Sequence, residues 1–370
     1  MKGERNSSGL EPFSASSSEA SSREGTPTVP MPASDLEKES RHVQSTDTAE
    51  SDRTASLPLT AVNAPLVYVK SLPGKGVRSR LIDGFNVWLQ TPPEVVTVVK
   101  SVIDDLHTAS LVMDDVEDKS PLRRGSPATH TVFGVSQSIN SATFAVLRAI
   151  SQVADLEGGR MLKPMLKDLE KLHVGQSWDL YWAFHMRCPS EDEYFRMVDG
   201  KTGGLFSLAL RMMLLASNQH CDTGDDKTRT DTSSTLFSLT RLLGRFFQVR
   251  DDYLNLTASE YKQKKGAMED LDEGKFSFPL ILTIQSSPKN RDYMLGLLKW
   301  AERPLAKETK EFLVRLMEQS GALERTKDKI RSLQDDMEIQ ILNMEKILGR
   351  ENPVLRDLVK KLEVASSVDN

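Results

Sequence analysis

The chain has 370 residues, 38% of them hydrophobic, and a formal net charge of −5. That is enough apolar material for one large domain or two small ones, and the acidic balance argues against nucleic acid as a partner. Its cysteines, Cys188 and Cys221, are too few for a disulfide scaffold, and no apolar run is long enough to span a bilayer.

Residues 1–57 are rich in Ser, Thr, Glu, Pro and Gly and have no periodic apolar positions. Such a segment buries too little surface to offset its ordering entropy, so a disordered tail is expected there. From 58 to 366 apolar positions recur at helical spacing and strand-type alternation is scarce, which predicts one all-α domain, with a short tail at 367–370. The N-terminus lacks a basic-then-apolar signal pattern, and the C-terminus is neither a prenylation nor a peroxisomal box. A cytoplasmic location is the expectation.

Along the chain, Pro73 and Gly74 mark a turn, and Leu81, Phe85 and Trp88 follow at helical spacing. Lys75 and Arg78 flank that helix start, where backbone amides and two cations converge as an anion site requires. A solvated basic turn is the plainer reading. Next comes a buried helix through Val102, Ile103, Leu106, Leu111 and Val112. It carries Asp114 and Asp118, four apart and so on one face. Two carboxylates one turn apart repel each other. Oxygen-only donors suit a hard cation such as Mg2+, which binds through one or two carboxylates plus substrate phosphates. Arg123 and Arg124 just downstream supply phosphate-binding forks. An acidic helix end beside a basic loop is the bland alternative; the pairs Asp104–Asp105, Asp225–Asp226 and Asp335–Asp336 read as inert.

Between Ser138 and Trp182 the pattern is helical twice, broken at Glu157–Gly159. Leu166, Leu169, Leu172 and His173 fall in register, and Gln176 and Asp179 follow. Tyr194–Leu215 reads as one helix with Gly203 and Gly204 inside it, beside Lys201 and Thr202. Each internal glycine costs about 1 kcal/mol against Ala, which a kink or a close backbone approach would explain. Asn218–Ser233 reads as a polar loop. Leu236–Leu256 is a helix that repeats the acidic pattern with Gln248, Asp251, Asp252 and Asn255. Tyr261–Phe278 is charged and Gly-punctuated; its Lys265 and Lys275 are either solvated or part of a lid over phosphate. Pro279 opens an apolar run, and from about Pro288 to Val364 amphipathic helices complete the bundle.

In combination these motifs resemble the trans-isoprenyl diphosphate synthase family, and most closely its fungal geranylgeranyl diphosphate synthases. The likeness runs from about Leu66 to Leu362. It rests on Pro73–Arg78, Asp114–Asp118, Lys201–Gly204, Phe247–Asp252 and Lys265–Pro279. It implies an isoprenoid synthase-type helical bundle around a central cavity. The implied reaction is head-to-tail condensation of isopentenyl diphosphate with dimethylallyl, geranyl or farnesyl diphosphate, giving a C20 product. Asp114, Asp118 and Asp251 are the implied magnesium ligands, with three ions per site, and Asp115 and Asp252 complete the catalytic motifs. Lys75, Arg78, His107 and Arg124 would hold isopentenyl diphosphate, although a lone His107 on an apolar helix otherwise reads as a core residue. Arg123, Lys201, Thr202, Gln248, Asn255, Lys265 and Lys275 would hold the allylic diphosphate, with Thr202 and Gln248 near the developing cation. A homodimer is also implied.

The growing tail would run along the Asp114 helix past Ala109 and Ser110, one turn away at about 5.4 Å. Phe144, Val146, Leu147 and His173 are candidates for the floor. Two alternatives share the fold. A class I terpene cyclase needs no second diphosphate site and carries an Asn/Ser/Glu magnesium triad where this chain has Asp251, Asp252 and Asn255. A non-catalytic subunit of a heteromeric synthase typically loses acidic motifs that this chain keeps.

Overall fold

In the computed structural model the described residues are 59–362, apart from 75, 155, 218–225 and 258–267, with backbone only for 226–231. All belong to one compact unit within Ser56–Asn370. The tails expected at 1–57 and 367–370 lie outside the described residues, as do Lys75, Lys265 and Cys221.

The helices are α1 (Thr60–Ser71), α2 (Val77–Leu89), α3 (Pro93–Glu117), α4 (Thr129–Phe133), α5 (Val135–Ala154), α6 (Leu162–His185), α7 (Glu191–Lys201) and α8 (Gly203–Ala216). There follow α9 (Asp226–Thr257), α10 (Glu269–Glu273), α11 (Phe278–Ser286), α12 (Pro288–Trp300), α13 (Lys307–Gln319), α14 (Ala322–Leu348) and α15 (Pro353–Lys361). Among the described residues the only strands are the two-residue β1 (Leu122–Arg123) and β2 (Ser126–Pro127), paired antiparallel. The all-helical expectation therefore holds. A single 3-10 turn, Leu156–Gly159, makes the break expected at the glycine pair.

Local chemistry sets many of these ends. Proline opens α3, α11, α12 and α15, where its missing N–H is harmless. Ser190 caps α7 in a reciprocal box with Glu193. Two expectations fail. The Tyr194–Leu215 helix is divided at Thr202, which ends α7 and begins α8. The loop expected at Asn218–Ser233 is helical from Asp226 onward.

Helix α8 buries residues on every face, Leu205, Phe206, Leu208, Leu210 and Met213 among them, so it is the central rod. The two acidic helices, α3 and α9, both pack against it. Trp88, Trp182, Tyr194, Phe85 and Phe246 are fully buried in the main core, each worth roughly 1.5–3 kcal/mol. A smaller cluster joins α1, α3 and α5 through Leu66, Val69, Ala109, Val112, Ala142 and Ala145. Beside it the buried Asp105 takes both Lys70 and Arg148, which makes Asp104–Asp105 a structural cross-link. At the far end, Asn352 Nδ2 donates to Gly84 O at 2.8 Å and fastens α15 to α2.

Candidate active site

Helix α3 ends at Glu117, and the Asp118 N–H returns to Asp114 O at 2.8 Å. Helical spacing thus holds on through Asp118, and Asp114 and Asp118 share a face, both partly exposed. Asp115 faces the other way. It is fully buried and ion-paired with Arg123, while its Oδ2 has no hydrogen-bond partner. Burial raises its pKa, against the pull of Arg123. Asp115 is therefore the anchor of Arg123.

Arg123 and Arg124 reach different elements because the chain reverses between them. Arg124 and Gly125 are the two residues between paired Arg123 and Ser126, and both have positive φ, 55° and 81°. That is the geometry of a tight hairpin turn matched to strand twist.

Helix α9 makes the second wall. Thr202 Oγ1 donates to Gln248 Oε1 at 2.7 Å, and Gln248 Nε2 donates to Asp252 Oδ1 at 2.9 Å. Asp252 also accepts from Tyr194 Oη and the Phe278 N–H, each at 2.7 Å. Burial pushes its carboxyl up to about 6. Only 4% exposed and holding three donors, Asp252 braces α9 against α7 and the Phe278 backbone. Asp251 is the half-exposed member of the pair. Asn255 is buried, with Oδ1 unpartnered.

Two short segments tie the walls together. In the first, Lys201 Nζ lies 2.7 Å from Asp179, in the field of Asp114 and Asp118, while its neighbour Thr202 holds Gln248. Burial alone would lower the Lys201 pKa; the charges of Asp179 and Asp114 raise it instead. In the second, Lys275 Nζ lies 2.5 Å from Asp118 while Phe278 binds Asp252. Backbone contact makes this possible. A Cβ on Gly244 would stand 2.6 Å from Gly203 Cα, and one on Gly175 would stand 2.6 Å from Lys201 N. Of the glycine pair inside the predicted helix, Gly203 thus serves close approach of α8 to α9.

Away from this cleft, Arg78 Nη1 and His107 Nε2 are 2.8 Å apart. Arg124 Nη1 donates to Leu72 O at 3.2 Å and lies against Gly74. Burial, then the charge of Arg124, lowers the Arg78 pKa to about 10, and its Nε is buried without a partner. Burial with Arg78, Arg124 and Arg123 drives the His107 pKa well below 6.5, so the ring is neutral. Among the described residues neither Arg78 nor Arg124 makes an ion pair. The cluster concentrates positive charge in one partly buried place.

Ala109, Phe144 and Val146 meet in the smaller cluster, and Ser110 Oγ returns to His107 O at 2.9 Å. Leu147, 57% exposed, and His173 face outward, so this chain alone does not enclose them. The sequence reading left Asp179 without a role and passed over Tyr194 and Glu273. Asp179 had a signal, one helical turn after Gln176; Tyr194 had none.

The residues that would hold magnesium are Asp114, Asp118 and Asp251. Among the described residues no three acidic, His or Cys side chains form a closed metal cage. The donor chemistry still fits: carboxylates on two walls, Asp114 and Asp251 partly exposed and the Asp118 side chain nearly buried, match an ion completed by substrate phosphates.

The sequence model of the polyprenyl synthetase family matches residues 60–317. A bifunctional terpene synthase of Fusarium proliferatum is 43% identical over 310 residues, covering 82% of this chain and 40% of its own length. The sesterfisherol synthase of Neosartorya fischeri is 42% identical over 312 residues, covering 82% of this chain and 39% of its own. The fusoxypene synthase of Fusarium oxysporum is 44% identical over 305 residues, covering 80% and 41%. The chain thus spans about two-fifths of the length of the curated relatives it matches. With the family match running over both acidic helices and the Arg78 cluster, this chain is an enzyme of the polyprenyl synthetase family.

Proposed function

We propose that this chain ionises an allylic diphosphate between its acidic walls and transfers the prenyl group to isopentenyl diphosphate. The observation that carries the reading is the second cationic site, Arg78 with His107 and Arg124, separate from the Asp114–Asp118 cleft. One diphosphate in each site is what a two-substrate condensation needs. Magnesium bound by Asp114, Asp118 and Asp251 would supply positive charge against the leaving diphosphate. Lys201, kept charged by Asp179 and Asp114, would bind the same oxygens as the bond breaks. Thr202 and Gln248 would turn oxygen dipoles toward the allylic cation, and the apolar lining would keep water from it. Small residues at 109 and 110 favour a linear product of C20 or longer.

The relatives favour a second reading. Their names are those of terpene synthases, which supports a terpene cyclase on this fold better than a dedicated C20 synthase. A bifunctional relative more than twice as long leaves room for both activities in one protein. Incubating the chain with isopentenyl diphosphate, each allylic primer and Mg2+ separates the readings. Transfer predicts linear prenyl alcohols after phosphatase treatment. Cyclic hydrocarbons formed from a supplied C20 or C25 diphosphate, with no use of isopentenyl diphosphate, would establish the cyclase.

A homodimer fits the outer surface. Val135, Ile139 and Leu147 on α5, and Val174, Trp178, Tyr181 and Phe184 on α6, are exposed on neighbouring helices. A patch of that kind marks an interaction surface. Among the described residues no helix is long and apolar enough to cross a membrane.

A further inference from the structure

Lys275 is held too firmly to be a stray surface lysine. It follows Gly274, whose φ of 73° ends α10. Arg303 pins that helix end through the carbonyls of Leu271 and Asp272 and ties it to Leu298 O of α12. On the other side the Phe278 N–H is fixed to Asp252. Between these anchors the Lys275 ammonium sits 2.5 Å from Asp118 and 2.6 Å from Glu273. Both carboxylate side chains are nearly buried, at 8% and 9% exposure. Glu273 also accepts from Ser120, the second residue beyond Asp118. The four side chains close a ring from the end of α3 to the end of α10.

We infer that Lys275 is the resident counter-cation of Asp118 in the metal-free enzyme, displaced by the incoming metal and retained over the cleft by Glu273. This rests on Asp118 being a metal ligand. Two buried carboxylates side by side need a cation, and the ammonium supplies it before substrate arrives. A divalent ion on Asp118 would repel an ammonium at that distance. Glu273 gives the lysine a second carboxylate within reach, so it withdraws only far enough to meet a diphosphate. Lys275 therefore opposes metal binding before the diphosphate enters and supports diphosphate binding afterwards. The enzyme is biased to take up metal and diphosphate together.

The test is binding of Mn2+ alone, followed by electron paramagnetic resonance, in the full chain. Lys275→Gln should tighten Mn2+ about tenfold and weaken binding of inorganic pyrophosphate to the Mn2+-loaded protein. A misfolded variant would weaken both. Unchanged or weaker Mn2+ binding by a folded Lys275→Gln overturns the inference. Asp118→Asn should lose Mn2+ affinity; if it does not, the metal-ligand reading itself has failed. On the unsubstituted protein, acetylation of Lys275 read by mass spectrometry should rise when Mn2+ is added without diphosphate. Equal labelling with and without the ion would also overturn the inference.

Discussion

Arg78 and Arg124 repel each other across a neutral His107, with Asp104 offsetting part of their charge; under the proposed reaction a bound diphosphate would offset the rest. Arg78→Ala should raise KM for isopentenyl diphosphate at least tenfold while KM for the allylic substrate stays within about twofold, as steady-state kinetics with each substrate varied will show. The same field has a signature at His107. Its folded pKa lies below the ordinary 6.5, so in the window between them the unfolded chain binds a proton that the folded chain does not. Stability should fall as pH drops through that window. Pyrophosphate should weaken the trend by offsetting the arginines, moving the His107 ring resonance to a higher titration midpoint, while burial keeps that midpoint low. At Asp252 the Tyr194 hydroxyl is one of three donors to a buried carboxylate. Tyr194→Phe should cost about 1–3 kcal/mol in chemical denaturation. The sequence could not separate such residues by role. Asp114 and Asp115 are equally acidic, and so are Asp251 and Asp252. Helical phase puts one of each pair toward solvent and the other inside, and only packing partners such as Arg123 and Tyr194 reveal which.

At the scale of elements, the acidic helices were legible because apolar residues and carboxylates recur with one shared period. The break at Thr202 was not. A glycine pair in a helical pattern is compatible with a kink, a contact or nothing, and the partner that decides, Gly244, lies on another helix. Gly244→Val should force α8 from α9, part Thr202 from Gln248 and lower kcat more than it raises KM. It should also lower stability by about 1–3 kcal/mol, the usual range for overpacking. The helical start of α9 at Asp226 was missed for a related reason: its first turns are polar, and apolar periodicity is silent there.

For the whole molecule, the outward placement of Leu147 and His173 matters most. A floor cannot be built from exposed residues of one chain; under the proposed prenyl transfer, the stop for a growing tail would come from Ala109, Phe144 and Val146, or from a second copy laid across α5 and α6. Trp178→Asp should shift sedimentation from dimer to monomer if that face is the interface. Ala109→Phe should shorten the product, which chromatography of the dephosphorylated alcohols will size.

The hairpin at 122–127 carries a constraint of parity. Under the proposed reaction Arg123, paired with Asp115, stands at the wall for the allylic diphosphate, and Arg124, the next residue, bonded to Leu72 O, at the pocket for its partner. Substitutions around this corner alter one site at a time. A single inserted or deleted residue would shift the pairing by one and turn each guanidinium toward the wrong customer, so both pockets would fail in the same step. Length, more than composition, is what natural variation or engineering must respect at this corner.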